Sequence, residues 1–293
     1  MAQARCADDG SCIVVGQRLT GELDLHIERR AGKDIATRQY HQGALRVLRP
    51  HYLDSTAQVC YTVVNPGGGY LGADRYRIGI GVGSSASLLL TTQSATKIYR
   101  TPQGEAQSQL NIELAEDAVL EYLPDQLIAY RDASYRQETI VHMHETSSLV
   151  MCEIITPGWS PDGELFKYQR IRLRTEVHIG GCLAVLDNLL VQPDDQEVES
   201  LLYLQGFSHV GMLLAVDSRI DAALVDDLRV QAYAVAAQQG EPVHVGISMT
   251  AAAGLSVRTL GTSTESAAAV LTCIVNELRG RLRAQAPVEL RKY

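Results

Sequence analysis

A chain of 293 residues, 46% of them hydrophobic, has enough apolar material for a sizeable core and is not an intrinsically disordered sequence. Its formal net charge of −8 excludes a general nucleic-acid binder, which needs basic surface to neutralise phosphates. No run approaches the roughly 20 apolar residues that span a bilayer. The six cysteines, Cys6, Cys12, Cys60, Cys152, Cys182 and Cys273, form no CxxC pair, so neither a zinc knuckle nor a thioredoxin motif is present. Cys6 and Cys12 sit close enough to share a metal but read better as incidental thiols. The opening MAQARCADDG lacks an apolar signal core, and we expect a cytoplasmic protein with reduced thiols.

Period-two alternation begins at Leu23, Leu25 and Ile27 and returns at Val59, Tyr61 and Val63. A glycine-dense loop, NPGGGYLGAD, follows from Asn65 to Asp74. Tyr76, Ile78, Ile80 and Val82 then alternate with Arg75, Arg77, Gly79 and Gly81, and TTQSATKIYR from Thr91 to Arg100 reads as a polar turn. Strand patterns continue at Leu110 to Leu114, Ala118 to Tyr122, Tyr135 to Met143 and Ile171 to Ile179. Each pattern sends one set of side chains to a core and the other to solvent. Strand after strand, spaced by turn residues, argues a large antiparallel sheet system or a β-solenoid. Gly79, Gly81 and Gly83 weaken their strand but let a packed neighbour or a partner come close.

Helical signals arrive late. Pro193-Asp194-Asp195 opens a candidate helix through about Gln205. His209 to Val216 is a strand-like apolar run. Asp221 to Ala237 holds a second candidate helix, whose last part, VQAYAVAAQQ, also fits a strand. LSVRTLG after Gly254 reads as strand and turn. The clearest helix is Ser263 to Arg283, with Ser263 as N-cap, Glu265 in the first turn and Arg279, Arg281 and Arg283 at the end. There is no low-complexity linker and no strong internal repeat, so a single domain over 1–293 is expected, with short flexible ends at about 1–18 and 285–293.

Enzymatic motifs are missing. GIGVG at 79–83 fails the G-x-G-x-x-G spacing and lacks a βαβ context, and no phosphate-binding G-x-x-x-x-G-K-[ST] string occurs. No G-x-S-x-G nucleophile elbow is present either. His142-Met143-His144 would place two imidazoles on one side of a strand, as a cupin-like metalloenzyme does, but the glutamate such enzymes carry four or five residues later is absent. Two exposed strand histidines, or a weak nickel contact, are the other readings of the pair. Among the acids, Asp74 ends the glycine loop, Glu121 precedes Tyr122-Leu123-Pro124, Glu153 lies in the apolar LVMCEII, Glu164 in Gly163-Glu164-Leu165-Phe166, and Asp187 in LAVLDNLLV. Acids on apolar strands are costly unless paired or solvated. Either they form salt bridges, with an arginine such as Arg172, or lie at an edge; or they line a water-filled passage holding a divalent cation weakly enough to release it.

The long string from Asn65 to Arg100 resembles the UreD (UreH) family of urease accessory proteins, which carries N-P-G-G-G-x-x-x-G-D-like and T-T-Q-[SA]-A-x-K-[IV]-Y-R segments. Gly72, Asp74, Gln93, Lys97, Tyr99 and Arg100 are the matching motif positions. The similarity extends through Leu120-Glu121-Tyr122-Leu123-Pro124, Glu153, Gly163-Glu164-Leu165-Phe166 and Val257 to Gly261, roughly residues 20 to 283. It departs at Asp125-Gln126, where the family is closer to Gln-Glu, and at Trp159, where the family often has arginine. The resemblance implies a mainly β, multi-sheet, β-helix-like body with two or three helices in the C-terminal third. It implies no catalysis: a scaffold that binds apo-urease and a UreF-like protein, which recruits a UreG-like GTPase. No cofactor would be held tightly, and nickel would pass transiently. Asp74, Glu121, Glu153 and Glu164 are the acids such a path would use.

Overall fold

The computed structural model describes residues 18–290 apart from Gln196, Glu199, Leu201 and Leu202; Cys6 and Cys12 lie outside the described residues. The body is a coil of parallel strands that alternate between two sheets. β1 (Gly21–Arg30), β5 (Arg75–Val82), β8 (Ala106–Leu114), β11 (Ser134–Met143) and β13 (Arg170–Ile179) pair in parallel in the first sheet. β4 (Val59–Val64), β6 (Ser87–Thr92), β9 (Val119–Leu123) and β12 (Ser148–Ile155) do the same in the second. Antiparallel strands β2 (Lys33–Gly43) and β14 (Cys182–Val191) flank the first sheet. β3 (Arg46–Val47) pairs with β4 at one end of the second sheet. Short β7 (Thr96–Ile98) and β10 (Leu127–Ala129) attach to the side of the second sheet, which continues through β15 (His209–Val216), β17 (Gly254–Gly261) and β16 (Val243–Met249). Of the two expected sheet architectures, the solenoid is the one formed.

Three chemically different turns make the coil. Gly83 to Ala86, Ala115 to Ala118 and His144 to Ser147 each close with a backbone bond from the last N–H to the first carbonyl, 3.0–3.1 Å long. They stack: Ala115 N–H donates to Val82 O and His144 N–H to Leu114 O, while Val119 N–H donates to Ala86 O and Ser148 N–H to Ala118 O. The repeat is one of backbone geometry and inward apolar positions, which is why no sequence repeat announces it.

Alternation explains the main core. Leu23, Leu25, Ile27, Ile78, Ile80, Ile112, Val141 and Ile171 from the first sheet meet Leu88, Leu90, Leu120, Leu149 and Met151 from the second. The other face of the second sheet carries a second core beneath two helices, α1 (Ala222–Ala237) and α2 (Thr264–Arg283). α2 buries Ala267, Val270, Leu271, Ile274, Val275 and Leu278, a helical stripe that faces the sheet. Gly211 on β15 lets it sit close: a Cβ there would meet Leu271 Cδ1 at 3.3 Å. Asp221 and Ser263 cap the two helices by accepting from the N–H groups of Leu224 and Ser266. VQAYAVAAQQ is helical as far as Ala237, not a strand.

Three expectations need correction. The candidate helix from Pro193 to Gln205 is, in its described residues, a chain of turns. Its bonds follow no helical spacing: Ser200 N–H reaches back three residues to Glu197 O, Gln205 N–H five to Ser200 O and Leu204 N–H six to Val198 O, and Val198 and Leu204 anchor the segment in the main core. Thr91 to Arg100 is not one turn: Thr91 and Thr92 finish β6, and Thr96 to Ile98 form β7. Residues 285–290 are docked rather than loose: Val288 N–H donates to Asn276 Oδ1 at 2.8 Å, and Val288 and Leu290 pack on the second core.

Candidate functional site: an interior row between the sheets

The glycine loop covers one end of the space between the sheets. Asn65 folds its start by accepting from Gly67 N–H and donating to Gly69 O. Asp74 holds its end, accepting from Thr20 Oγ1 at 3.0 Å, Leu71 N–H at 2.7 Å and Tyr76 Oη at 3.3 Å. The loop then lies against β7: Tyr70 N–H donates to Lys97 O and Tyr99 N–H to Tyr70 O, both at 2.8 Å. That approach requires glycine at position 69, where a Cβ would meet Lys97 O at 2.6 Å. Gly72 is equally confined, 3.0 Å from Thr101 Cα by the same measure. Gln93 N–H closes the turn after β6 on Val63 O, and Arg100 pairs with Asp132 at the surface.

Beneath the loop is a cavity of about 90 Å³, walled by Asn65, Gly69, Gln93 and Lys97 at one end and by Tyr122, Tyr135 and Gln137 deeper in. A second space of about 20 Å³ shares Tyr122 and Gln137 and adds Glu153. A third, also about 20 Å³, shares Glu153 and runs to Thr175, Asp187 and Arg258. Spaces of the smaller size hold about one water each. The three therefore form a polar row through an otherwise apolar interior, with Glu153 common to the second and third.

Glu153 is there because it occupies an inward position of β12, in phase with Leu149 and Met151. Gln137 on β11 orients it, accepting from Tyr135 Oη at 2.9 Å and donating to Glu153 Oε1. Burial pushes the Glu153 carboxyl up to about 7, opposed by the bond from Gln137; Asp187 adds to the rise and Arg258 lowers it. The Arg258–Asp187 ion pair closes this end by joining β17 to β14 across the two sheets. Burial likewise raises the Tyr70 phenol to about 12, so it is a neutral wall.

The other nominated acids are elsewhere. Glu121 faces the helices, not the row. Its two oxygens are taken by Arg279 and Arg283 of α2, and Gln58 Nε2 donates to it at 3.1 Å. This is the salt-bridge alternative, with arginines far downstream in place of Arg172, which bonds Asn188. Glu164 is on the surface, paired with Lys167 at 2.7 Å. His142 and His144 do not form a cupin-like pair: His144 lies past the end of β11, with Nδ1 2.9 Å from Thr146 Oγ1. Among the described residues no group of three or more His, Cys, Asp or Glu is placed to cage a metal ion. Sequence reasoning singled out Glu153 and Asp187 but missed Gln137 and Arg258, whose inward phase on β11 and β17 was the available signal.

Comparison with known proteins agrees with the motif. The family model described as UreD urease accessory protein matches residues 19–292. A protein named urease accessory protein UreD from Paenarthrobacter aurescens (strain TC1) is 48% identical over 292 residues, covering 97% of this chain and 99% of its own. Its namesake from Arthrobacter sp. (strain FB24) is 49% identical over 281 residues, covering 93% and 94%. That from Actinomyces naeslundii is 46% identical over 279 residues, covering 94% and 99%. The Asn65–Arg100 signature and a match over nearly the full chain place this protein in the UreD family of urease accessory proteins.

Proposed function

We propose that this chain is a non-catalytic scaffold of urease maturation in the cytoplasm. It binds apo-urease together with a UreF-like protein, through which a UreG-like GTPase is recruited, and nickel crosses it transiently on the way to urease. Nucleotide hydrolysis belongs to the partner, because no phosphate-binding loop is written in this sequence.

The observation that supports a path is the row of three adjoining spaces with Glu153 between the last two. A conduit needs sites that bind and release. A carboxyl whose proton is exchanged near pH 7 offers an oxygen ligand that is neither permanently charged nor permanently neutral. Asp74 stands near the loop end through its bond to Tyr76. Glu121 and Glu164 would have to release arginine or lysine partners before holding an ion.

The test is co-purification with urease, UreF-like and UreG-like proteins, followed by activation with nickel and GTP. Glu153→Ala should assemble normally and activate poorly. Full activation by that variant removes Glu153 from the path, and failure to co-purify removes the scaffold.

A further inference from the structure

At the end of the first sheet away from the glycine loop, and on its outer face, five parallel strands place one row of residues in register. His26 on β1 lies opposite Gly81 on β5, Gly81 opposite Glu113 on β8, Glu113 opposite His142 on β11, and His142 opposite His178 on β13. The row lines an open depression of about 850 Å³. The rings of His142 and His178 are 5.0 Å apart between centroids and inclined by 31°. His178 is oriented from behind: Glu176 Oε2 is 3.1 Å from its Nε2, which leaves Nδ1 as the ligating nitrogen. At the other end, Asp24 Oδ1 is 3.1 Å from His26 Nε2. His26 lies down across β5 because position 81 is glycine; a Cβ there would meet His26 Nδ1 at 2.5 Å.

We infer that His142 and His178 form a surface site for a divalent first-row transition cation such as Ni²⁺, with Glu113 beside it and Glu176 as the positioning carboxylate. Imidazole nitrogen is the ligand type these ions take in preference to Mg²⁺ or Ca²⁺. A carboxylate on the far nitrogen fixes the ring and raises its basicity, the arrangement common behind metal-bound histidines. Two imidazoles with water in the remaining positions make an exchangeable site, not a cage, consistent with the absence of any three-ligand group among the described residues. The site is separate from the interior row and stands whether or not nickel passes Glu153.

The test is isothermal titration of the tag-free full chain with NiCl₂, ZnCl₂ and MgCl₂ at pH 7.5 or so, alongside His142→Ala, His178→Ala, Glu176→Gln and Glu153→Gln variants. Ni²⁺ and Zn²⁺ should bind and Mg²⁺ should not. Either histidine change should weaken Ni²⁺ binding at least about tenfold, and Glu176→Gln about tenfold, as loss of a carboxylate behind a ligand does. Glu153→Gln should leave this site intact. His142, His178 and Glu176 lie outside the apolar cores, so unchanged thermal melting verifies that the histidine variants are folded. Wild-type Ni²⁺ affinity in a folded His142→Ala/His178→Ala double variant overturns the inference, and so does loss of the binding in Glu153→Gln alone.

Discussion

Arg279 and Glu121, 158 positions apart in the chain, meet as an ion pair whose side chains are 1% and 0% exposed. Nothing around the pair is left unserved. Arg279 also donates to Gln58 Oε1 at 2.9 Å, Asp54 Oδ2 at 3.2 Å and Ala286 O at 2.8 Å, while Arg283 takes the second oxygen of Glu121. The pair fastens the last helix to the middle of the second sheet and draws the C-terminal segment in with it.

Breaking that pair from the carboxylate side should be severe. Glu121→Ala leaves Arg283 without its carboxylate and Arg279 with only that of Asp54, and removal of one partner of a buried pair costs about 3–5 kcal/mol. Denaturant unfolding should report a loss of that size. Wild-type stability in Glu121→Ala would mean that the pair contributes little net energy.

Glu153 should make stability depend on pH in an unusual direction. Its carboxyl is raised from near 4.5 to about 7 in the folded chain, so between those values the native state holds a proton that the unfolded state has lost. Its contribution is therefore present at the acid end and lost as pH rises towards 7, by at most about 3 kcal/mol. Melting Glu153→Gln and wild type across pH 4.5 to 8 is the measurement. The variant should flatten this part of the profile and be the more stable of the two at the alkaline end. Parallel profiles would show that the carboxyl titrates normally.

Gly69→Ala should cost about 1–3 kcal/mol, because the added methyl meets a backbone carbonyl that cannot swing away. Gly81→Ala meets the exposed His26 ring instead and should be mild. Comparing the two melting temperatures separates a backbone clash from a movable neighbour; equal effects would contradict the packing of the glycine loop on β7.

Asp221→Ala should weaken α1 by about 1 kcal/mol through loss of the cap on Leu224 N–H. Hydrogen exchange in the first turn of α1 should rise while that of α2, capped by Ser263, does not. Unaltered exchange in α1 would show that its start is held by packing alone.

Much of this architecture was legible locally. Alternation in β5, β8, β11 and β13 named the residues that face inward, and Asp221, Ser263 and the arginines after Leu278 marked the helix ends. Pairing was not legible, because neighbours in a parallel coil are brought together by turns as different as Gly83-Ser84-Ser85 and Ala115-Glu116-Asp117. The same gap hid the partners of the site. His142 was visible beside His144 in the sequence, but its structural neighbour is His178 across the ladder. For Glu121, as for the other acids, the sequence left a salt bridge, an edge position and a water-filled passage open; Arg279 and Arg283, far along the chain, supply its charge partners. Gly79 and Gly81 of β5 make room for side chains of β1, Asp24 and His26. Membership of the family was legible from the signature segment; the placement of Glu153 on a row of cavities required the fold.

The tie between Glu121 and α2 also sets an order of events during synthesis. The coil can be laid down turn by turn as the ribosome releases it, since each of its central strands pairs with the coil just made. Through that period Glu121 lacks Arg279 and Arg283, which lie 158 and 162 positions further along the chain. Until α2 arrives the Glu121 carboxylate has the Gln58 amide as a donor but neither of its two arginines. The charge balance of that face is thus completed only when the last turn of α2 has formed, well after the coil beneath it.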